Sequence, residues 1–260
     1  MGLNGKWCWK LFLASIFMWL GSVSDTFAVT PVTVDVKPYS DGFVSARADG
    51  MVVWTDMEGN ASDSVRIRME IAAIDVRDGS VLAVSPDCRV MSVERSGRSR
   101  RLCRSQLKNK WDRVVGIACT KDNSLVLTES GVILSTTTFD SFNSMDFNLT
   151  YSGYYDDVRF CAISASDNSF CIAGTYYDGM PAVFTSATGN VWSERELTYT
   201  KGGETFQLEQ QPLRLAYDRR MDRFVMACSD GWLFYMPGCS HCNDRAKGDG
   251  SVWHYFSLLE

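Results

Sequence analysis

Short apolar strands alternate with tight polar turns along most of the chain, and this alternation repeats five times. In each repeat a turn of the type Asp-Gly or Asp-Asn leads into an apolar strand, a second turn and another apolar strand. The first apolar residues of the five repeats lie at positions 43, 81, 125, 170 and 224, which gives spacings of 38, 44, 45 and 54 residues. This regular pattern indicates one small antiparallel sheet per repeat.

Further β-rich runs between the repeats complete four strands per unit, with fourth strands expected at 65–69, 100–105, 146–151, 192–198 and 253–258. No helical period competes, because the apolar runs are short and end at turn residues. A period near 45 residues made of strands is typical of propeller blades. We therefore predict an all-β fold, a β-propeller of five blades with four antiparallel strands each. A fragment of a six- to eight-bladed ring is the alternative.

Residues 1–28 have a different composition from the rest. Lys6 and Lys10 precede the apolar run Leu11–Val23, and Thr26 and Ala28 supply small residues at the −3 and −1 positions of a cleavage site. This pattern predicts a secretory signal peptide over 1–28, followed by a single propeller domain over 29–260 that is secreted or periplasmic. An uncleaved anchor is the alternative, but the apolar run is shorter than the roughly 20 residues that cross a bilayer. We expect no stable membrane span after signal removal.

The balance of charge bears on the class of partner, and the cysteine content bears on disulfides. Removal of residues 1–28 would take away two Lys and one Asp, leaving 24 basic and 30 acidic side chains, which disfavours a nucleic-acid partner.

Eight cysteines would remain, an even number that permits disulfides in an exported chain. We expect at most one or two bridges, because half of these cysteines lie inside apolar strands, where a free thiol serves as a small buried hydrophobe. The eight are Cys88, Cys103, Cys119, Cys161, Cys171, Cys228, Cys239 and Cys242.

The segment 185–192, Thr-Ser-Ala-Thr-Gly-Asn-Val-Trp, resembles the Asp-box of bacterial neuraminidase-type propellers, written Ser-x-Asp-x-Gly-x-Thr-Trp. Gly189 and Trp192 match that motif, while Ala187 replaces its Asp, and a weaker echo lies at 248–253. The strand rhythm is also similar to that of the propeller-type photosystem II assembly factors. The resemblance implies a structural motif that turns a hairpin and places its Trp between blades.

A sialidase-like glycoside hydrolase is the alternative function. That resemblance implies an arginine triad, a Tyr nucleophile paired with Glu, and an Asp acid. The segment 65–68, Val-Arg-Ile-Arg, is similar to the first arginine motif of the family but lacks the Pro that follows it. Asp156 and Asp157 are the best local acid pair, yet neighbouring residues on a strand point to opposite faces. We therefore predict no catalytic residues and no enzyme activity.

Cys239 and Cys242 have the CxxC spacing that can present two thiolates to one zinc ion. A second ligand pair is missing from the sequence, and the other histidine outside this motif is His254. A local disulfide or two thiols in a long hairpin loop is the preferred interpretation. We predict neither a metal site nor a cofactor.

Five arginines fall within ten residues of an acidic chain, namely Arg95, Arg98, Arg100, Arg101 and Arg104. Such a cluster suits an anionic partner or a glycan. A solvated outer strand is the alternative, and it is the commoner meaning of a run of charge.

Loops joining strands two to three and strands four to one emerge on the same side of a four-stranded blade. Aromatic residues beside carboxylates gather there in units three to five, and this combination is typical of recognition surfaces. Trp232, on the same side, is expected to pack between blades. We predict a non-catalytic binding or assembly module with a protein partner preferred and a glycan second. Its predicted binding residues are Trp111, Tyr151, Tyr154, Tyr155, Asp156, Asp157, Tyr176, Tyr177 and Asp178.

Overall fold

The computed structural model describes residues 32–103, 107, 109, 111–136, 143–146, 158–201, 203–237 and 254–257. These residues form strands and turns, with no helix among them and thus no helix able to cross a membrane. Five four-stranded antiparallel sheets are arranged as a five-bladed β-propeller, which confirms the predicted fold class. In every blade the four strands follow one another in chain order.

The strands of the first two blades are β1 (Thr33–Tyr39), β2 (Gly42–Arg47), β3 (Met51–Asp56) and β4 (Ala61–Arg66), then β5 (Ala73–Arg77), β6 (Ser80–Val84), β7 (Val90–Val93) and β8 (Ser99–Cys103). Blades three and four contain β9 (Val114–Cys119), β10 (Ser124–Thr128), β11 (Val132–Thr136) and β12 (Asn143–Asp146), then β13 (Val158–Ala165), β14 (Phe170–Tyr176), β15 (Pro181–Ser186) and β16 (Ser193–Glu194). Blade five contains β19 (Pro212–Asp218), β20 (Arg223–Cys228), β21 (Trp232–Pro237) and β22 (His254–Ser257). The strands β17 (Thr198–Lys201) and β18 (Glu204–Gln207) form a separate hairpin between blades four and five.

The fourth strands depart most from the sequence prediction. In blade one the strand lies at 61–66 instead of 65–69, because Ile67 and Met69 are buried in the connection to blade two. In blade three the described strand covers 143–146, and residues 147–151 lie outside the described part of the chain. In blade four the fourth strand covers only residues 193 and 194 of the expected 192–198. An outermost strand pairs with a neighbouring strand on one side only. The alternation of apolar residues is therefore a poor guide to where such a strand begins and ends.

The hairpin β17–β18 was missed by the sequence prediction of twenty strands. It accounts for the longest repeat spacing, 54 residues, because it is inserted between two blades. Its strands pair from Thr198 with Gln207 to Lys201 with Glu204. Tyr199 stacks on Phe206 with ring centroids 5.6 Å apart and meets Phe234 of blade five edge-on at 5.6 Å.

The first strand of each blade packs against the first strand of the next, in the order β1, β5, β9, β13 and β19. Side-chain carboxylates join two of these pairs. Asp35 Oδ2 accepts a hydrogen bond from the Ile74 amide at 3.0 Å, and Asp75 Oδ2 accepts one from the Cys119 amide at 2.7 Å. Burial raises the pKa of Asp75, and the positive charge of Lys37 partly offsets that effect. These bonds link blades that share no backbone ladder.

Four hydrophobic clusters fill the four junctions between consecutive blades. Each cluster combines residues of two neighbouring sheets, for example Leu127 of blade three with Phe184 of blade four. The central blades contribute side chains from both faces, so that β10 and β15 are buried along their whole length. The core of the protein is therefore divided into layers between the sheets.

The two terminal blades are buried on one face only. Buried and partly exposed residues alternate along β2 and β20, in contrast to the continuous burial of β10. On the inner strands Val36 is 41% exposed and Leu213 is 47% exposed. Among the described residues no hydrophobic cluster joins blade five to blade one.

The turn between strands two and three has the same geometry in every blade. Its third residue has a positive φ and donates a backbone hydrogen bond to the residue three positions earlier, as Gly179 does to Tyr176 and Gly131 to Thr128. Glycine adopts this conformation without steric cost. In blade two Cys88 takes it instead, with a φ of 62°.

These turns and the connections between blades form one face of the disc, which we call the connection face. The Ile67 amide donates to Gly50 O at 2.9 Å, the Glu129 amide to Arg113 O at 2.8 Å and the Ser229 amide to Gln211 O at 3.0 Å. Each of these bonds joins a two-to-three turn to a between-blade connection, which confirms that both sets of loops share a side.

The opposite face carries the one-to-two and three-to-four turns, and we call it the turn face. Polar contacts join successive blades there. Tyr39 Oη donates to Gly79 O at 2.8 Å, and the Asn123 side-chain amide donates to Thr188 O at 2.7 Å. Arg219 Nη2 lies 3.4 Å from Asp167 Oδ1.

A pair of leucine substitutions tests the one-sided burial of blade five. Leu127→Ala removes a fully buried side chain between blades three and four, and we expect it to lower the free energy of unfolding by about 2 to 5 kcal/mol. Leu233→Ala removes a partly exposed side chain from the uncovered face of blade five, and we expect a loss below about 2 kcal/mol. Urea denaturation followed by circular dichroism measures both. Equal losses would show that blade five is covered on both faces.

Candidate functional site

Four of the nine predicted binding residues lie within the described part of the chain. The others, Tyr151, Tyr154, Tyr155, Asp156 and Asp157, lie outside it. Tyr177 is 95% exposed and Trp111 is 78% exposed, both on the connection face. Asp178 is also exposed, whereas Tyr176 is buried. Of the four described residues, three are therefore exposed and one is buried.

Trp111 is held by hydrogen bonds around the connection that enters blade three. Its amide donates to Asn109 Oδ1 at 3.0 Å. The next residue, Asp112, is buried, and its carboxylate accepts from the Ser130 amide at 3.1 Å and from Ser130 Oγ at 2.6 Å. Ser130 belongs to the two-to-three turn of blade three, where other blades have an Asp. The indole is thus presented on a fixed backbone.

Tyr177 lies at the apex of a tight turn between β14 and β15. The Tyr176 amide donates to Met180 O at 2.8 Å, and the Gly179 amide donates back to Tyr176 O at 2.9 Å. Asp178 Oδ1 accepts from the Met180 amide at 3.0 Å. With its turn closed by three hydrogen bonds, the tyrosine ring projects into solvent from a rigid base.

A cavity of about 420 Å³ lies beside this turn. Its walls come from the turn after β14, from the chain after β15 and from Gln207 of the β17–β18 hairpin. Its polar groups include the carboxylates of Asp178, Glu194 and Glu196, and its apolar groups include Met180, Pro181 and Leu197. Arg195 lies in the same wall, but its Nε donates to Thr185 Oγ1 at 2.7 Å. The cavity is therefore acidic, with an apolar floor.

Tyr176 is a buried part of the cavity wall and not an exposed recognition group. Its hydroxyl donates to Glu194 Oε1 at 2.5 Å, and its ring meets Phe184 edge-on with centroids 6.5 Å apart. The hydrogen bond fixes the Glu194 carboxylate at the cavity edge. Successive residues of a strand end point to opposite sides, so the neighbouring Tyr177 is exposed while Tyr176 is buried.

Sequence reasoning missed Glu194, Glu196 and the hairpin that completes the cavity. A signal for the hairpin was present, because Gly202 and Gly203 separate two runs of alternating polar and apolar residues. No local pattern indicated that the acidic pair lies beside the turn of Tyr177. The expectation that Trp232 packs between blades is confirmed, since its ring is packed against the hydrophobic cluster that joins blades four and five.

The hairpin that resembles an Asp-box lies on the turn face of blade four. Gly189 has a φ of 82°, its amide donates a hydrogen bond to Ser186 Oγ at 2.8 Å, and a Cβ there would lie 2.7 Å from the Leu125 side chain. Trp192 Nε1 donates to Gly189 O at 3.1 Å, and its ring is buried between blades three and four. In this chain the segment packs two blades together.

No disulfide joins the six cysteines that the structure describes, and Cys239 and Cys242 lie outside it. Burial raises the pKa of the thiols of Cys88, Cys171 and Cys228 to about 12, and that of Cys161 to about 11. These groups are neutral at physiological pH, and a neutral thiol is a poor nucleophile. Within the described ranges no three His, Cys, Asp or Glu side chains are grouped to hold a metal ion.

Comparison with solved structures identifies the fold. YCF48 bound to D1 peptide matches with a TM-score of 0.55 and 10% identity over 90% of this chain and 70% of that one. YCF48 from Cyanidioschyzon merolae matches with a TM-score of 0.56 and 10% identity over 89% and 73%. The Neurospora crassa Pan2 WD40 domain matches with a TM-score of 0.54 and 9% identity over 86% and 65%.

These likenesses show the β-propeller fold. The chain spans between 55% and 65% of the length of three of the matching structures, a computationally designed protein called Ika8, the Pan2 domain and the Dos1 propeller. No protein-family model matches the sequence. No curated protein matches it either.

The buried thiols predict a loss of stability at high pH. Between about pH 9, where the unfolded thiol ionises, and about pH 12, the native thiols keep protons that the unfolded chain has released, so the free energy of unfolding should fall as pH rises. Below about pH 9 this contribution is fully present. Cys171→Ala should make the decline shallower in urea titrations at several pH values. An unchanged slope would contradict the assignment.

Proposed function

We propose that this chain is an exported, non-catalytic binding module whose connection face takes an extended segment of a protein partner. The observation that carries the proposal is Tyr177, a 95% exposed aromatic ring on a rigid turn directly beside an acidic cavity. Exposed aromatic side chains give large contact area at little entropic cost, and they are enriched among the residues that dominate binding energy.

The chemistry of the cavity indicates the partner segment. Three carboxylates, those of Asp178, Glu194 and Glu196, favour a Lys or Arg side chain, while Met180 and Leu197 offer apolar contact to its methylene groups. A neighbouring apolar or aromatic residue of the segment would pack on Tyr177. Trp111 extends the same face toward blade three and provides a second contact for a longer segment.

One structural neighbour supports a peptide ligand. That neighbour is YCF48 bound to D1 peptide, so a propeller of this fold holds a peptide segment. The identity of 10% is too low to transfer the ligand itself, and the proposal rests on the surface described above. A glycan is the second partner class, since tyrosine and carboxylate side chains also suit sugar rings and hydroxyl groups.

A sialidase-like activity is the alternative function. Tyr176 and Glu194 supply the residue types of a Tyr nucleophile and its Glu partner at 2.5 Å. However, Tyr176 is buried against Phe184, and Glu194 belongs to the outermost strand of its blade instead of the inner strands. This placement favours a structural hydrogen bond, and binding without catalysis remains our proposal.

Selection of binders from a displayed library of random peptides tests the proposal. We expect enrichment of peptides with a basic residue next to an aromatic or aliphatic one. Tyr177→Ala should weaken binding of a selected peptide about 30-fold, the loss of a hot-spot tyrosine worth about 2 kcal/mol. Binding should also weaken as salt rises, because the cavity is acidic.

Met221→Ala is the matched control, because Met221 is a 58% exposed apolar residue in a turn of the opposite face. Its effect on the same peptide should be below twofold. Equal losses for Tyr177→Ala and Met221→Ala, or a library without enrichment, would contradict the proposed surface. Hydrolysis of a fluorogenic sialoside that is abolished in Glu194→Gln would replace the binding proposal with the enzymatic one.

A further inference from the structure

A second cavity, of about 380 Å³, lies on the turn face of blade two, away from the proposed peptide surface. Every side chain that lines it is polar or charged. Three arginines line it, Arg77, Arg98 and Arg100, together with three serines and the acidic residues Asp78 and Glu94. An anionic ligand is favoured by the three guanidinium groups, and an apolar one finds no apolar side chain to cover it.

Strand register explains why the arginines converge. In blade two Leu82 pairs with Ser92, and Ser92 pairs with Arg100, so these three residues share one face of the sheet. Leu82 belongs to the cluster between blades two and three, so Arg100 lies on the side that faces blade three. Arg101 pairs with Met91 and lies on the opposite face.

Arg77 fixes one wall of the cavity. Its side chain is buried, its Nη1 donates to Ser124 Oγ of blade three at 3.1 Å, and its Nε lies 3.6 Å from Asp78 Oδ2. A guanidinium held between two blades is pre-organised, so ligand binding costs little side-chain entropy there. Arg98 and Arg100 are exposed, at the turn before the outer strand β8 and on that strand.

The arginines of this hairpin have different surroundings. Arg95 is engaged in structure, with its Nε 2.5 Å from Asp63 Oδ2 of blade one and its Nη2 2.9 Å from Ser62 Oγ. Arg104 lies outside the described residues. Arg98 and Arg100 are the two that line the cavity.

Three guanidinium groups and two carboxylates leave the cavity with one formal positive charge, in a chain of net charge −5. One excess charge matches a carboxylate better than a phosphate dianion. The planar guanidinium forms two parallel hydrogen bonds with a carboxylate, and the serine hydroxyls and the two acidic side chains can accept from backbone amides beside it. We propose that this cavity binds an acidic peptide segment through a Glu or Asp carboxylate.

This proposal goes beyond the peptide surface of the connection face and does not depend on it. The test is isothermal titration of the full chain with an acetylated, amidated tetra-glutamate peptide, with the tetra-glutamine peptide as ligand control. Arg98→Ala combined with Arg100→Ala should weaken tetra-glutamate binding at least tenfold. Arg101→Ala removes one positive charge from the other face of the same hairpin, and its effect should be below twofold.

Both variants change exposed side chains, and matching melting temperatures verify that they are folded. Equal weakening by Arg101→Ala would reduce the effect to general charge attraction and overturn the site. Binding of tetra-glutamine as tight as that of tetra-glutamate, or no tetra-glutamate binding, would also overturn it. Inorganic phosphate and tri-galacturonate are titrated as two further ligands. If either binds more tightly than tetra-glutamate, that ligand class replaces the acidic peptide. Tyr177→Ala should leave tetra-glutamate binding unchanged, which separates this result from the test of the connection face.

Discussion

The packing of one sheet against the next is the constraint on which the whole molecule depends. A four-stranded sheet in this chain is too small to enclose apolar side chains by itself, so each blade buries its faces against its neighbours. Four apolar clusters result, one at each junction between consecutive blades. Blades two to four are buried on both faces, while blades one and five each have one face outside a cluster. The polar contacts, including the bonds from Asp35 and Asp75, orient sheets that the clusters hold together.

Both candidate sites arise where this layered packing ends. On the connection face, the exposed turn of Tyr177 follows Tyr176, the last buried residue of β14. The β17–β18 hairpin lies beside this turn, and the two form the walls of a cavity. On the turn face, the apolar cluster between blades two and three ends, and the polar residues Ser92, Arg100 and Arg77 lie beyond it. In each case the sheets supply a rigid base and the variable side chains lie at its edge, as in other folds where loops carry function. The two surfaces have opposite charge preference.

How much could be predicted from the sequence differs from element to element. Inner strands such as β10 and β14 have strong apolar patterns because both faces are buried, and the predicted five-bladed arrangement followed from them. The outer strand β4 contains Ser62, Asp63 and Ser64, and its polar composition hides it, since hydrogen bonds to β3 alone define it. Burial of Tyr176 beside exposed Tyr177 depends on which side of the sheet each residue faces. Approach of Glu194 to Tyr176 is a contact between strands, and no local pattern reveals it.

The turns of the propeller differ in how they are bonded, and this affects how freely each can diverge. On the turn face, contacts such as Tyr39 to Gly79 and Asn123 to Thr188 join adjacent blades, so a change in one loop disturbs its neighbour. The turn of Tyr177 is closed by bonds among its own residues, from 176 to 180. Residue 177 could therefore be exchanged during evolution, or in a designed library, while the Asp178 carboxylate keeps the turn closed. The fold would tolerate new ligand specificities at that position without compensating changes elsewhere in the ring.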